Sequence, residues 1–191
     1  LKRTYNNAVR CAIPEVIGAM EEELKKAIEE GDSVGSEVEA YAFNVPPGLG
    51  DPLFHSLDVD LASIIFAVPG VKAISFGVGF EVPSMRGSEY VDEYDVEGGK
   101  VRAVTNKSGG ILGGLSTGMP IHVKVAFKPV TTIGKAVRTV DLKSMKQVKL
   151  EAHGRYDPCI GPRAVPIIEA CLSLVLADHC INQGLIPVVL K

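Results

Sequence analysis

The stretch that most restricts the fold is residues 162–184, PRAVPIIEACLSLVLADHCINQG, which has the pattern of a long helix. Pro166 stands near its start and Gly184 beyond its end, where helices favour these residues. Apolar side chains wrap most of its circumference: Ile167, Ile168, Cys171, Leu172, Leu174, Val175 and Leu176. A helix that is apolar nearly all round is buried among other elements. We therefore expect a layered protein that surrounds this helix, and not a membrane span, because the apolar run is short and interrupted by charge.

The rest of the chain alternates between helical and strand patterns. Apolar residues recur at steps of three and four over residues 13–30, and again within residues 51–69, where Ser56 suits the N-cap position. Period-two alternation marks strands in VKAISFGVGF (71–80), PIHVKVAFK (120–128), residues 148–152 and, more weakly, residues 34–45. One covered and one freer face is typical of antiparallel pairing. The sequence predicts an α+β fold, an antiparallel sheet layered with helices, in a single unit over residues 1–191.

Composition argues against several classes of function. The formal net charge is −3, so neither a nucleic-acid nor an anionic-membrane partner is expected. The 4 cysteines and 4 histidines are scattered without the spacing of metal ligands, so no metal site is predicted. This cysteine usage and the lack of a signal-peptide pattern favour a cytoplasmic protein.

Residues 108–118, SGGILGGLSTG, form a glycine-rich run, called here the glycine segment. Ordered glycine costs conformational entropy, so such a run needs a reason. It lacks the Gly-Lys-Ser/Thr of a phosphate-binding P-loop, and a strand rather than a helix follows it, unlike a dinucleotide fingerprint. Two interpretations stay open. The glycines either only make turns in a wide hairpin, or they expose amides that receive a flat ring or an anion.

Two further segments combine groups that bind anions. Lys128–Thr132, KPVTT, offers one cation and two hydroxyls at a strand end, although a lysine there is more often only solvated. In GRYDP, Arg155 and Asp157 lie two apart and would project from one face of an extended segment. The two residues either form a local ion pair, or Arg155 donates hydrogen bonds to a bound anion while Asp157 beside it accepts a proton. We expect structural roles for Arg86 and for Arg163, which would cap or pair near its helix.

Eight motifs give the chain, over essentially its whole length, a resemblance to the chorismate synthase family. In order they are GDSVGSEVE, VPPGLGDPLF, VKAISFGVGF, MRGSEYVDEY, NKSGGILGGLSTGMPI, KPVTTIGK, GRYDPCIGPRAVPIIEA and LVLADH. The resemblance implies a β-α-β sandwich, with helices between two antiparallel sheets, usually assembled as a tetramer. Family members are longer, and this chain resembles only their C-terminal half. We therefore expect half of a sandwich that is inactive alone.

The resemblance also implies a lyase of the shikimate pathway that requires reduced FMN. The family converts 5-enolpyruvylshikimate 3-phosphate to chorismate by 1,4-anti elimination of phosphate and a ring proton. Carried over by motif, FMN contacts fall on Gly113, Lys128, Pro129, Val130, Thr131 and Thr132. Arg155 corresponds to a residue at the FMN site near the anionic groups of the substrate. Asp157 corresponds to the residue thought to take a proton near the flavin.

Some features depart from the family pattern. Tyr156 stands where the family usually has His, and it can donate a hydrogen bond but not titrate near neutrality. Pro69–Gly70 replaces a small polar pair, so we assign no cofactor contact there. The family's two catalytic histidines and several substrate-binding arginines belong to its N-terminal half.

The alternative hypothesis is a non-catalytic α+β module that binds a nucleotide-like ligand.

Overall fold

A computed structural model describes residues 3–152, 154, 156–187 and 189. The helices are α1 (Pro14–Glu29), α2 (Leu57–Phe66), α3 (Gly87–Tyr90) and α4 (Gly161–Asn182). The strands are β1 (Ser36–Ala42), β2 (Val71–Phe76), β3 (Tyr94–Glu97), β4 (Lys100–Ala103), β5 (Ile111–Leu112), β6 (Leu115–Ser116), β7 (Ile121–Phe127), β8 (Val137–Asp141) and β9 (Lys146–Leu150). Short 3₁₀ helices occupy Thr4–Asn6 and Gly79–Ser84. The predicted α+β class is confirmed.

The chain separates into two compact units. The first unit comprises Leu1–Ser36 with Phe127–Val165, and the second comprises Glu37–Ala126 with Pro166–Lys191. In the sequence, Lys and Arg outnumber Asp and Glu in the first unit, whereas Asp and Glu predominate in the second. The single unit over residues 1–191 stays a prediction.

The second unit is built on a three-stranded sheet with the order β1-β7-β2. Every second side chain of the central strand β7 is buried, and α2 contacts β2. The fully buried side chains of β7 and α2 are Ile121, Val123, Val125, Leu57, Leu61 and Ile65. Burying each such side chain stabilises the fold by roughly 1.5–3 kcal/mol. This apolar layer holds the helix on one face of the sheet.

Helix α4 is buried along one stripe. Its buried side chains at steps of three and four are Ile168, Cys171, Leu172, Val175 and His179. Ile167 and Leu174 are exposed by 45% and 62%. The predicted helix is confirmed, but within this chain it is covered on one face only. The half of a β-α-β sandwich that the resemblance implies stays a prediction.

Length and composition alone would allow α4 to cross a membrane, because its most apolar window has a mean hydropathy of 1.7. Of the residues in that window, 33% are buried inside the protein. A core helix of a layered protein has the same composition, since it too is apolar on several sides. We interpret α4 as such a core helix.

The first unit contains α1 and the β8–β9 ribbon. Pro14 occupies the first helical turn of α1, and Gly31 follows its end with φ +63°. Both match the sequence pattern, because proline suits a helix start and a left-handed residue suits its end. Ala27 is buried, whereas Ile28 on the same apolar face is 61% exposed. Strands β8 and β9 pair antiparallel and are largely exposed.

One strand prediction is wrong in its second half. Residues 71–76 form β2, but residues 77–80 leave the sheet and a 3₁₀ helix begins at Gly79. Gly77 and Gly79 adopt φ +57° and +53°, which the alternating pattern does not reveal. A Cβ on Gly77 would lie 2.0 Å from the carbonyl oxygen of Lys107. The chain therefore turns here so that two backbone segments can meet.

Candidate functional site

The glycine segment contains a tight hairpin. Ile111 pairs with Ser116 and Leu112 with Leu115, which leaves Gly113 and Gly114 as a two-residue loop. Their φ angles are +60° and +81°. Such a loop between antiparallel strands requires left-handed residues at both positions. Gly113 and Gly114 therefore make a turn, but in a tight hairpin within the segment and not in the wide hairpin that the sequence suggested. That the segment's amides receive a ligand stays a prediction.

The other glycines of the segment allow close packing of the backbone. A Cβ on Gly109 would lie 2.2 Å from the Gly77 nitrogen, and one on Gly110 would lie 2.5 Å from the Pro120 oxygen. A Cβ on Gly114 would meet the Ser56 side chain at 2.5 Å. Gly113 is different: no atom of the described residues lies within 4 Å of its Cβ position.

The preceding VPPGLG motif anchors the hairpin from one side. The buried Ser116 hydroxyl donates to the Pro46 carbonyl (2.6 Å) and accepts from the Leu49 amide (2.8 Å). The Leu57 amide at the start of α2 donates to the Gly114 carbonyl (2.9 Å). Because each of these groups is paired, the hairpin has a fixed position on the second unit with Gly113 at its exposed tip.

The KPVTT segment lies in the first unit and leaves its polar side chains available. Its backbone is held where the Ser33 hydroxyl donates to the Val130 carbonyl (2.6 Å). The Lys128 ammonium reaches only the adjacent Pro129 carbonyl (3.3 Å). In the described part of the chain, neither Thr131 nor Thr132 has a hydrogen-bond partner. One cation and two hydroxyls are therefore free to bind an anionic group.

An ion pair beside KPVTT explains the GDS motif. The Lys135 ammonium donates to the Asp32 carboxylate (2.6 Å) and lies 3.5 Å from Glu30. The hydrogen bond from Lys135 lowers the pKa of Asp32, and the same bond raises the pKa of Lys135. Both side chains are exposed, so the pair stabilises the unit only modestly. Its role is local, joining the end of α1 to the chain after KPVTT.

The GRYDP motif also belongs to the first unit. Arg155 lies outside the described residues, so its pairing with Asp157 stays a prediction. The Asp157 carboxylate contacts the Arg163 guanidinium, and the expected pairing of Arg163 near its helix is confirmed. The Tyr156 hydroxyl is buried and has no hydrogen-bond partner among the described residues. A buried unpaired hydroxyl costs free energy, which a bound polar group could remove.

The structural role expected of Arg86 in MRGSE stays a prediction. Arg86 stands at the N-cap of α3, where its amide donates to the Glu89 carboxylate (2.7 Å). Its side chain is exposed and nothing in the described residues assigns it a ligand.

A protein-family model described as chorismate synthase matches residues 1–181 of this chain. The chain belongs to the chorismate synthase family. The chorismate synthase of Methanothermobacter thermautotrophicus is 48% identical over 95% of this chain and 49% of its own. That of Pyrococcus abyssi is 50% identical over 88% of this chain and 48% of its own. A crystal structure of chorismate synthase superposes with a TM-score of 0.77 at 28% identity, over 95% of this chain and 47% of that one.

The comparisons confirm the family resemblance and the fold class. They also show that the chain spans about half the length of the chorismate synthases it matches. Of the residues assigned by resemblance, Gly113 lies in the second unit, and Lys128–Thr132 and Asp157 lie in the first. Their joint role as one chorismate synthase site stays a prediction.

The alternation in PIHVKVAFK places His122 on the face of β7 opposite its buried valines, but the sequence does not reveal the partners that β1 brings to it. The rings of His122 and Tyr41 stack with centroids 4.3 Å apart. Glu39 lies 3.9 Å from His122 and 3.5 Å from Lys124. Burial lowers the pKa of His122, and the nearby Glu39 opposes that effect only in part. The alternation in residues 34–45 predicts that β1 is a strand. It does not predict the register that sets Glu39 and Tyr41 beside His122.

Sequence reasoning also missed a carboxylate held between two imidazoles. Asp60 on α2 contacts the buried His179 of α4 (3.0 Å) and the exposed His55 (3.4 Å). A shallow groove of about 480 Å³ adjoins them, lined by His55, Asp60, Ser63, Ile64, Ala67, Leu174, Val175 and Asp178. The His179–Asp60 contact ties two helices of the second unit together, which accounts for the LVLADH motif structurally.

Proposed function

We propose that this chain is the C-terminal half of a chorismate synthase and supplies part of its active site. In that site 5-enolpyruvylshikimate 3-phosphate would lose phosphate and a ring proton by 1,4-anti elimination to give chorismate. The observation that carries this proposal is the family match over residues 1–181 at nearly half sequence identity to chorismate synthases.

Each of the two units offers groups suited to part of a bound FMN. At Gly113, open space above the hairpin tip leaves main chain accessible to a flat ring. Lys128, whose ammonium donates only to the adjacent Pro129 carbonyl among the described residues, and the unpaired hydroxyls of Thr131 and Thr132 are donors suited to phosphate or other polar parts of the cofactor. Pro129 and Val130 carry the backbone between them. The buried, unpaired Tyr156 hydroxyl is a further donor in the motif that the family uses at its flavin.

The remaining roles follow from charge. Arg155 would hold anionic groups of substrate and cofactor, since a guanidinium forms paired hydrogen bonds to such groups. Asp157 would accept a proton, and Arg163 beside it orients its carboxylate. Bound reduced FMN would supply electron density to the substrate ring. The protein would hold the two anionic molecules together and exclude water.

The same proposal covers the setting of the enzyme. It includes 5-enolpyruvylshikimate 3-phosphate as the substrate, assembly as a homo-oligomer, a tetramer as the resemblance implies, and a cytoplasmic location. The proposal includes no nucleic-acid partner and no membrane partner. The chain alone should not turn over, because the family's catalytic histidines would come from the other half.

Turnover measurements test the proposal. We expect no chorismate from the chain alone with reduced FMN and 5-enolpyruvylshikimate 3-phosphate. We expect activity from a fusion of the N-terminal half of the Methanothermobacter thermautotrophicus enzyme to this chain, called here the fusion protein. Chorismate is measured by its absorbance, with the N-terminal half alone as control. Turnover by the isolated chain at the rate of an intact enzyme contradicts the proposal that this chain supplies only part of the active site. FMN binding without turnover in the fusion protein favours a non-catalytic module.

A further inference from the structure

The carboxylate of Asp92 holds the backbone that enters the glycine segment. One oxygen, Oδ1, accepts hydrogen bonds from the Thr105 hydroxyl (2.6 Å) and the Lys107 amide (2.7 Å). The other, Oδ2, accepts from the Ser108 amide (2.9 Å). Hydrogen bonds to an ionised acceptor are stronger than those between neutral groups. The carboxylate thus provides partners for two consecutive amides outside the sheet.

The ionised state of Asp92 is maintained by these contacts. Burial raises the pKa of Asp92, but the hydrogen bonds from Thr105, Ser108 and Lys107 together outweigh burial and leave the pKa below its usual range. At neutral pH the side chain therefore accepts at both oxygens.

The same stretch of backbone packs tightly on its other sides. The Lys107 carbonyl accepts from the Val78 amide (3.0 Å), and the Lys107 ammonium contacts the Glu89 carbonyl. The Asn106 side chain donates to the Pro120 carbonyl (2.8 Å). These contacts position residues 105–108, and so determine where the glycines that follow begin.

From Ser108 the chain reaches the hairpin tip through two glycines, which are held by contacts with their surroundings and not by side chains of their own. The Gly109 carbonyl accepts from the His122 amide (3.0 Å), and the Gly110 carbonyl accepts from the Thr117 amide (2.9 Å). Gly109 and Gly110 have no side chains to resist rotation. The placement of Gly113 therefore depends on fixed points at both ends of the segment, and Asp92 supplies the one at its start.

We propose that Asp92 is a positioning residue for the cofactor, acting through the glycine segment to hold Gly113 where FMN binds. This inference rests on the proposed function, because the FMN contact of Gly113 belongs to that proposal. It assigns a role to the DEY part of the MRGSEYVDEY motif, which the site described above does not use.

The test compares Asp92→Asn with Asp95→Asn. Asparagine at position 92 keeps one acceptor oxygen but directs its NH₂ group at an amide donor. Asp95, in contrast, is exposed and among the described residues accepts only from the adjacent Val96 amide. Both variants remove one negative charge. Thr105→Val deletes a single bond to Asp92, and Thr105→Ser restores it.

Two readouts are measured at a temperature where circular dichroism shows every variant folded. In the isolated chain, we expect Asp92→Asn to raise amide hydrogen exchange over residues 107–118 by about tenfold or more, since exchange reports local opening. In the fusion protein, we expect FMN affinity to fall by about tenfold, the equivalent of one net hydrogen bond. Thr105→Val should lie between, and Asp95→Asn and Thr105→Ser should match the unsubstituted protein.

The possible outcomes separate the two proposals. Unchanged exchange in Asp92→Asn overturns the anchoring role. Faster exchange with unchanged FMN affinity shows a structural residue only and overturns the positioning role. Failure of the unsubstituted fusion protein to bind FMN contradicts the proposed function, and the positioning role falls with it.

Discussion

At the scale of single residues, Asp157 is the side chain on which the proposed chemistry depends most. It is partly buried, with a side-chain exposure of 32%, and it contacts Arg163, whose own side chain is 72% exposed. An exposed cation beside a carboxylate orients it but adds little stability. The pair therefore contributes little to stability, and its proposed role is to orient the carboxylate.

Replacing Asp157 with Asn in the fusion protein should lower the elimination rate by about 10²–10⁴-fold, the usual contribution of a positioned acid or base. FMN affinity should change little, because the side chain keeps its shape. Stopped-flow rates and FMN titrations measure the two effects. Arg163→Gln is the matched control, since it leaves the carboxylate in place and should cost less. Near-normal turnover in Asp157→Asn would remove this residue from the proton transfer.

At the scale of elements, the β5–β6 hairpin requires glycine at two adjacent positions for different physical reasons. Gly113 and Gly114 both need left-handed backbone, but only Gly114 packs against another element, at Ser56. Replacement of either residue costs the left-handed penalty of roughly 1–2 kcal/mol. Gly114 should cost more because a Cβ there also collides with Ser56.

The variants Gly113→Ala and Gly114→Ala separate packing from ligand access. We expect Gly114→Ala to lower the free energy of unfolding more than Gly113→Ala, as measured by urea denaturation of the isolated chain. In the fusion protein, Gly113→Ala should weaken FMN binding while leaving the protein folded, because the added methyl group lies in open space where FMN is proposed to bind. Equal stability of the two variants would contradict the close packing of Gly114, and unaltered FMN binding in Gly113→Ala would contradict the contact.

At the scale of the whole molecule, the chain matches only about half of the chorismate synthases it resembles. Helix α4 has a side on which the proposed other half could pack, because Leu172 is buried while Leu174 is 62% exposed. In a complete β-α-β sandwich the helices lie between two sheets. The exposed side of α4 is thus the side that the other half should cover.

Leu174→Ala tests that expectation in two proteins. In the isolated chain it should change the free energy of unfolding by less than about 0.5 kcal/mol, as for a surface site. In the fusion protein it should cost about 2–5 kcal/mol, the range for a buried leucine. Leu172→Ala is the control, because it should be destabilising in both. Denaturant unfolding gives the values, and equal small effects of Leu174→Ala in both proteins would contradict a covered α4.

The sequence by itself determined the helices α1, α2 and α4, four of the nine described strands (β1, β2, β7 and β9) and the family. Residues 13–30 and 120–128 carry clear periods of hydrophobicity, and local patterns of this kind report on local structure. Gly113, KPVTT and GRYDP were found because the family's motifs are contiguous. Only the tertiary structure decided which glycines pack closely, that β2 ends at Phe76, and that Arg163 pairs with Asp157. Only the tertiary structure shows the hydrogen bonds of Asp92 with Thr105, Lys107 and Ser108. These features depend on contacts between residues distant in the chain or on backbone angles, and neither leaves a periodic signal in the sequence.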